Sequence, residues 1–181
     1  MMTPTRLAVA LAAAMLCARP SPARADVVES SAGGFTVKIA VQVSGSAMDA
    51  YRAAVDHVGA WWDSAHTWSG KSSNLSIDAT AGGCFCERLP GGGGVRHLTV
   101  VYVDPGKLLR MNGGLGPLQD MAVNGSLTWT FAEAAGKSTI EMTYKVGGYA
   151  PGGLAALAVP VNGVLAQQLD RLKKFIETGA S

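Results

Sequence analysis

The stretch CFCERLPGGGGVRH, residues 84–97, sets two cysteines, a glutamate and a histidine around a run of glycines. Extended backbone alternates its side chains, so Cys84, Cys86 and Arg88 share one face while Phe85, Glu87 and Leu89 share the other. On the return strand Arg96, Leu98, Val100 and Tyr102 oppose Val95, His97, Thr99 and Val101. Burying two unpaired arginines would cost several kcal/mol, which turns Arg88 and Arg96 to solvent and leaves Glu87 and His97 together on the inner face. That register needs a connection of odd length; an even one would set His97 beside the cysteines.

Inward carboxylate and imidazole groups must be paired with each other, with water or with a ligand. His66, in WWDSAHTWSG, is a third titratable candidate, with Trp61, Trp62 and Trp68 supplying aromatic surface around it. A carboxylate with two histidines beside an apolar pocket suits general acid–base chemistry, because desolvation moves both kinds of pKa toward neutrality. Glu87, His97 and His66 are therefore the candidate catalytic residues, and Trp62, Trp68, Ser69, Tyr51 and Asn74 the candidate ligand contacts. A buried Glu–His pair can equally satisfy itself and fix strand register. His57 has no such company and reads as structural.

Other chemistries fit less well. The glycines precede a strand rather than a helix, and no Lys-Ser/Thr follows them, so they do not form a phosphate cradle. Cys-x-Cys provides two thiolates and the mature chain has no second cysteine pair, so no metal is expected. In a flat strand the two Cα atoms lie about 6.5–7 Å apart, at the upper edge of disulfide reach, and Gly82-Gly83 could supply a bulge that shortens the gap. The cysteines are then either a local disulfide or two small packed side chains. Neither a G-x-S-x-G elbow nor a dinucleotide fingerprint is present, and no cofactor is expected.

The elements that must position these groups follow from periodicity. Phe35, Val37, Ile39, Val41 and Val43 alternate with polar neighbours as a half-buried strand. Ser46, with Asp49 three residues on, caps a short helix bearing Tyr51, Ala54, Val55 and Val58, and a second helical turn follows. Strand signals recur over 75–79, 84–89, 95–103, 107–111, 123–131 and 139–146, separated by short turns. Leu154, Leu157, Val161, Val164, Leu165, Leu169, Leu172, Phe175 and Ile176 have helical spacing, with a bend expected at Pro160. The order predicts an α+β domain: a curved, seven-stranded antiparallel sheet around a long C-terminal helix, with two short helices after the first strand.

At the N-terminus, Arg6, the apolar run 7–18 and Ala23-Arg24-Ala25 read as a signal peptide over 1–25, cleaved after Ala25. A single domain over 26–181 and a periplasmic or secreted location follow. The chain has 15 basic and 13 acidic residues, but three arginines and no acid lie in the leader, leaving 12 against 13. That near-neutral balance argues against nucleic acid as a partner, and no later apolar run suggests stable membrane insertion.

Within this order, WWDSAHTWSG, AGGCFCERLP, DPGKLLRMNGGLGPLQ, LTWTF, YKVGGYAPGGL and QLDRLKKF resemble a bacterial secreted subgroup of the START-like (SRPBCC) superfamily, whose members have the helix-grip fold. The resemblance implies a cavity between sheet and helix that takes a small hydrophobic or aromatic molecule. It is similar to polyketide cyclase/dehydrase proteins and to lipid carriers, so two functions stay open: a cofactor-independent lyase, cyclase or dehydratase, or a non-catalytic carrier.

Overall fold

The computed structural model describes residues 23–180, so the expected leader falls, apart from its last three residues, outside the described residues. The chain runs β1 (Arg24–Ser31), β2 (Gly34–Ser44), α1 (Ala47–Asp56), α2 (Val58–Trp61), β3 (Leu75–Ile77), β4 (Cys84–Arg88), β5 (Gly94–Asp104), β6 (Leu108–Asn112), β7 (Ala122–Ala134), β8 (Lys137–Tyr149) and α3 (Ala158–Thr178). Eight strands form one antiparallel sheet in the order β1-β2-β8-β7-β6-β5-β4-β3.

The strand count corrects the expected seven. β1 is the additional strand, pairing Arg24 with Ala40 through Ser31 with Gly34 at the sheet edge. Of its residues only Ala25 is even partly buried, so backbone pairing holds it and no apolar period marks it.

The periodic readings of β2, β7 and β8 hold. The apolar positions of β2 are buried, as are Leu127, Trp129, Met142 and Tyr144 on the same face of β7 and β8. The Ser46 hydroxyl accepts from the Asp49 amide and starts α1. Helix α3 buries Leu165, Leu169 and Leu172 and ends at Gly179, whose positive φ closes the last turn. Its start differs from the expectation: Ala155–Leu157 is a separate 3₁₀ turn, and the helix begins at Ala158. Pro160 therefore lies in the first turn, where its missing N–H has no intrahelical acceptor to lose, rather than at an interior bend. Among the described residues no helix is long and apolar enough to cross a membrane.

Candidate functional site

β4 and β5 meet across the five-residue connection whose odd length the register required: Glu87 pairs with Val95 and Arg88 with Gly94, leaving Leu89–Gly93 between. Arg88 and Arg96 face solvent. Further along, the register shifts: Cys86 opposes Arg96, but Phe85 opposes Leu98, so His97 is an extra residue on β5. This bulge turns both His97 and Leu98 inward. The expected alternation beyond His97 is thereby corrected, since Leu98 and Val100 are buried and Val101 is exposed. Opposite the bulge, Cys84 and Cys86 form a disulfide across a Cα–Cα distance of 5.4 Å, shorter than a flat strand would give.

Glu87 and His97 are 2 % and 5 % exposed, and His97 Nε2 lies 3.0 Å from Glu87 Oε2. The Trp68 amide also donates to Oε2 (3.1 Å), and the Ser69 amide donates to Oε1 (2.5 Å). Burial alone would push the Glu87 carboxyl up; the hydrogen bonds from Ser69, the Trp68 amide and His97 outweigh it and hold the group below its usual range. His97 moves down as well, because burial opposes its charged form more than Glu87 favours it. A neutral imidazole facing a carboxylate carries its proton on Nε2, which leaves Nδ1 a bare acceptor. That Nδ1 is buried without a hydrogen-bond partner.

His97 lines a cavity of about 390 Å³ between the sheet and α3. The walls come from Trp62, Leu75 and Phe85, from the segment 65–68, from Leu115–Leu118 and Met121, from Tyr144, and from Leu157, Pro160, Val161, Val164 and Leu165. Trp62, Phe85 and His97 stand ring against ring at 5.3 and 5.2 Å, so the imidazole is braced by aromatic packing. Tyr144 braces the far wall. Its hydroxyl donates to the Gly113 carbonyl and accepts from the Leu115 amide, and burial raises its pKa to about 12. The ring lies against Gly125, where a Cβ would strike it.

The segment carrying His66 is fixed by α3. Gln168 accepts from the Asp63 amide, Gln167 donates to the Asp63 carboxylate, and Arg171 donates to the Trp61 carbonyl. His66 itself is exposed on the cavity wall, 3.3 Å from Gln167 Oε1, and makes no hydrogen bond to Glu87 or His97. The three proposed catalytic residues thus divide. His97 and His66 line the cavity, whereas Glu87 stands behind His97 and is not part of the wall.

The expected ligand contacts also divide. Trp62 and Trp68 line the cavity, the former buried with its indole N–H on the His66 carbonyl, the latter 56 % exposed. Ser69, Tyr51 and Asn74, expected as ligand contacts, do not line it. Ser69 serves Glu87 through its amide, Tyr51 packs edge-on against Phe131 beneath α1, and Asn74 ends a 3₁₀ turn before β3. Sequence reasoning missed the 113–118 loop and Met121; the loop's glycines read only as turn residues. No group of three metal-ligating side chains converges among the described residues.

The same architecture occurs in solved structures of low sequence identity. The Aha1 dimer from Colwellia psychrerythraea matches with a TM-score of 0.58 at 16 % identity, over 81 % of this chain and 98 % of its own. Protein MLL2253 from Mesorhizobium loti matches at 0.54 and 20 %, over 77 % and 94 %. DynU16, encoded in the dynemicin biosynthetic locus, matches at 0.56 and 20 %, over 80 % of this chain and 48 % of its own. No curated protein matches the sequence. At these identities the structural likeness speaks for the fold, and the sequence itself carries the family assignment. The model of polyketide cyclase/dehydrase and lipid-transport proteins matches residues 34–177, from the first residue of β2 to the penultimate residue of α3, and the chain belongs to that family.

Proposed function

We propose that the cavity binds a small hydrophobic or aromatic molecule and that His97 addresses its polar group through Nδ1. The carrying observation is the buried, unpartnered Nδ1 of a residue that lines a largely apolar volume of about 390 Å³. Apolar walls supply affinity at roughly 25 cal/mol per Å² buried, and one polar atom orients the guest.

The Glu87–His97 pair supports an enzymatic form of this reading. A carboxylate behind an imidazole fixes its tautomer and stabilises the imidazolium formed when the far nitrogen takes a proton. Here the far nitrogen is Nδ1, so His97 would act as general base at a carbon beside a carbonyl or phenol, without a cofactor, in a lyase, cyclase or dehydratase reaction. Glu87 is then a positioning residue, and His66 at the wall is a candidate second acid or base. The alternative is a carrier in which the same pair serves only orientation.

Mass spectrometry of molecules extracted from native protein identifies the guest. Turnover and binding are then measured for Glu87→Gln, His66→Ala and His97→Ala. A loss of about 10²–10⁴-fold in rate that far exceeds any loss of binding supports the enzyme. Bound guest without turnover supports the carrier, and wild-type binding by His97→Ala defeats the assignment of Nδ1.

Export to the periplasm or medium belongs to the same proposal. Cleavage after Ala25 would leave β1 from Asp26 to Ser31 and remove the pairing of Arg24 with Ala40 and Ala25 with Ile39, together with the exposed contacts of Ala23 with Asp170 and Arg24 with Asp26. Intact mass of natively expressed protein should lack residues 1–25; a full-length product would refute cleavage.

A further inference from the structure

The hydrogen-bonding character of the cavity wall restricts which apolar molecules it can hold. Among the described residues no lysine, arginine, aspartate or glutamate lines it. Its side-chain donors, apart from the indole N–H of the 56 % exposed Trp68, are already committed: the Trp62 indole N–H to the His66 carbonyl, the Tyr144 hydroxyl to the Gly113 carbonyl, and the Thr67 hydroxyl to the Ser64 carbonyl. His97 gives its Nε2 proton to Glu87. At His66, the Gln167 amide nitrogen donates to Asp63, so the Gln167 oxygen facing the ring is an acceptor and takes the Nε2 proton. Among the buried residues of the wall, the polar side-chain atom left without a partner is His97 Nδ1, and it accepts. Behind it stands the Glu87 carboxylate, whose negative charge is held by two backbone amides and the imidazole rather than by a cation.

We infer that this cavity selects neutral molecules bearing a hydroxyl donor, phenols or alcohols, and rejects carboxylates built on the same skeleton. A phenol O–H satisfies Nδ1. A carboxylate would place a second negative charge near Glu87, find no free donor among the buried side chains, and lose its hydration. An ether of the same shape would fill the volume but leave Nδ1 unpaired, and a site built to hydrogen-bond a hydroxyl discriminates against the analogue that lacks it. Selection thus rests on acceptor polarity in the wall as well as on volume. The inference depends on the binding function proposed above, and it specifies the chemical class of the guest.

Three probes of one skeleton test it: 2-naphthol, 2-methoxynaphthalene and 2-naphthoate, titrated at pH 7.5 by calorimetry and by quenching of tryptophan fluorescence. The expected result is that 2-naphthol binds about tenfold more tightly than the methyl ether, the effect of one neutral hydrogen bond. The naphthoate should bind at least as weakly as the ether. In His97→Phe, which keeps an aromatic ring, naphthol and ether should bind alike. Equal affinity of naphthol and ether for the wild-type protein overturns the role of Nδ1. Naphthoate binding as tightly as naphthol overturns the exclusion of anions. Both outcomes leave the apolar binding function standing, whereas failure of all three probes to bind defeats that function and this inference together. The wild-type comparison decides the matter even should the variant not fold.

Discussion

Replacing Glu87 with glutamine keeps the side chain's size but exchanges one oxygen for an NH₂ group. The wild-type carboxylate receives three donors, the Ser69 amide on Oε1 and the Trp68 amide and His97 Nε2 on Oε2. If the new NH₂ takes the Oε1 position, it faces the Ser69 N–H. If it takes the Oε2 position, His97 can switch tautomer and accept, but the Trp68 N–H then faces the NH₂. Either way one main-chain donor is stranded in a partly buried place, at about 1–3 kcal/mol, and the remaining bonds lose their charge assistance, about 1 kcal/mol more. The expected destabilisation is about 3 kcal/mol, or a fall in Tm of roughly 6–12 °C for a domain of this size. Urea melts measure the first and thermal melts the second. Nitrogen chemical shifts of His97 report its tautomer, and they should move. A Glu87→Gln protein within about 1 kcal/mol of wild type, with its His97 shifts unchanged, would refute the claim that this carboxylate anchors the 68–69 segment and the imidazole.

Acid should weaken the fold in two steps. Both folded-state pKa values lie below the ordinary ones, so the unfolded chain takes up each proton first, and stability falls as pH drops below about 6.5 for His97 and then below about 4.3 for Glu87. Denaturant melts across this range should show both declines in wild type and lose the lower one in Glu87→Gln; a flat profile between pH 7 and 5 would contradict the His97 assignment. At Gly125, alanine would drive a methyl into the Tyr144 ring and break its hold on Gly113 and Leu115. Urea melts should show a loss of about 1–3 kcal/mol, with faster amide exchange at Leu115, and unchanged exchange would mean that the loop is held by other contacts.

Elements that announce themselves by side-chain period were legible in the sequence: the inward row of β2, the strands from β3 to β8, and the face of α3. β1 was not, because an edge strand with almost no buried side chain has no period to read, and its first two residues fall within the Ala23-Arg24-Ala25 pattern that reads as an expected cleavage site. The inward placement of Glu87 and His97 followed from the cost of burying Arg88 and Arg96, yet the bulge did not, since a bulge belongs to the pairing of two strands and to neither alone. The partners of Glu87 escaped notice for a related reason. Any residue offers a backbone N–H, so the identities of Trp68 and Ser69 could mark them as polar or aromatic wall but not as amide donors. Tyr144 falls within the strand read over 139–146, while its grip on the 113–115 loop depends on a close approach at Gly125 that no pattern of residue types encodes.

His97 is the surplus residue of the β4–β5 ladder. Without it, Arg96 and Leu98 would become neighbours opposite Cys86 and Phe85, one outward and one inward, and the pairing would run on unbroken. The imidazole is therefore an insertion into a sheet that is geometrically complete in its absence. A lineage could gain or lose this polar atom by a single codon without redesigning the strands on either side. Cooperative melting of a protein lacking only residue 97 would demonstrate that independence, and a collapsed fold would deny it.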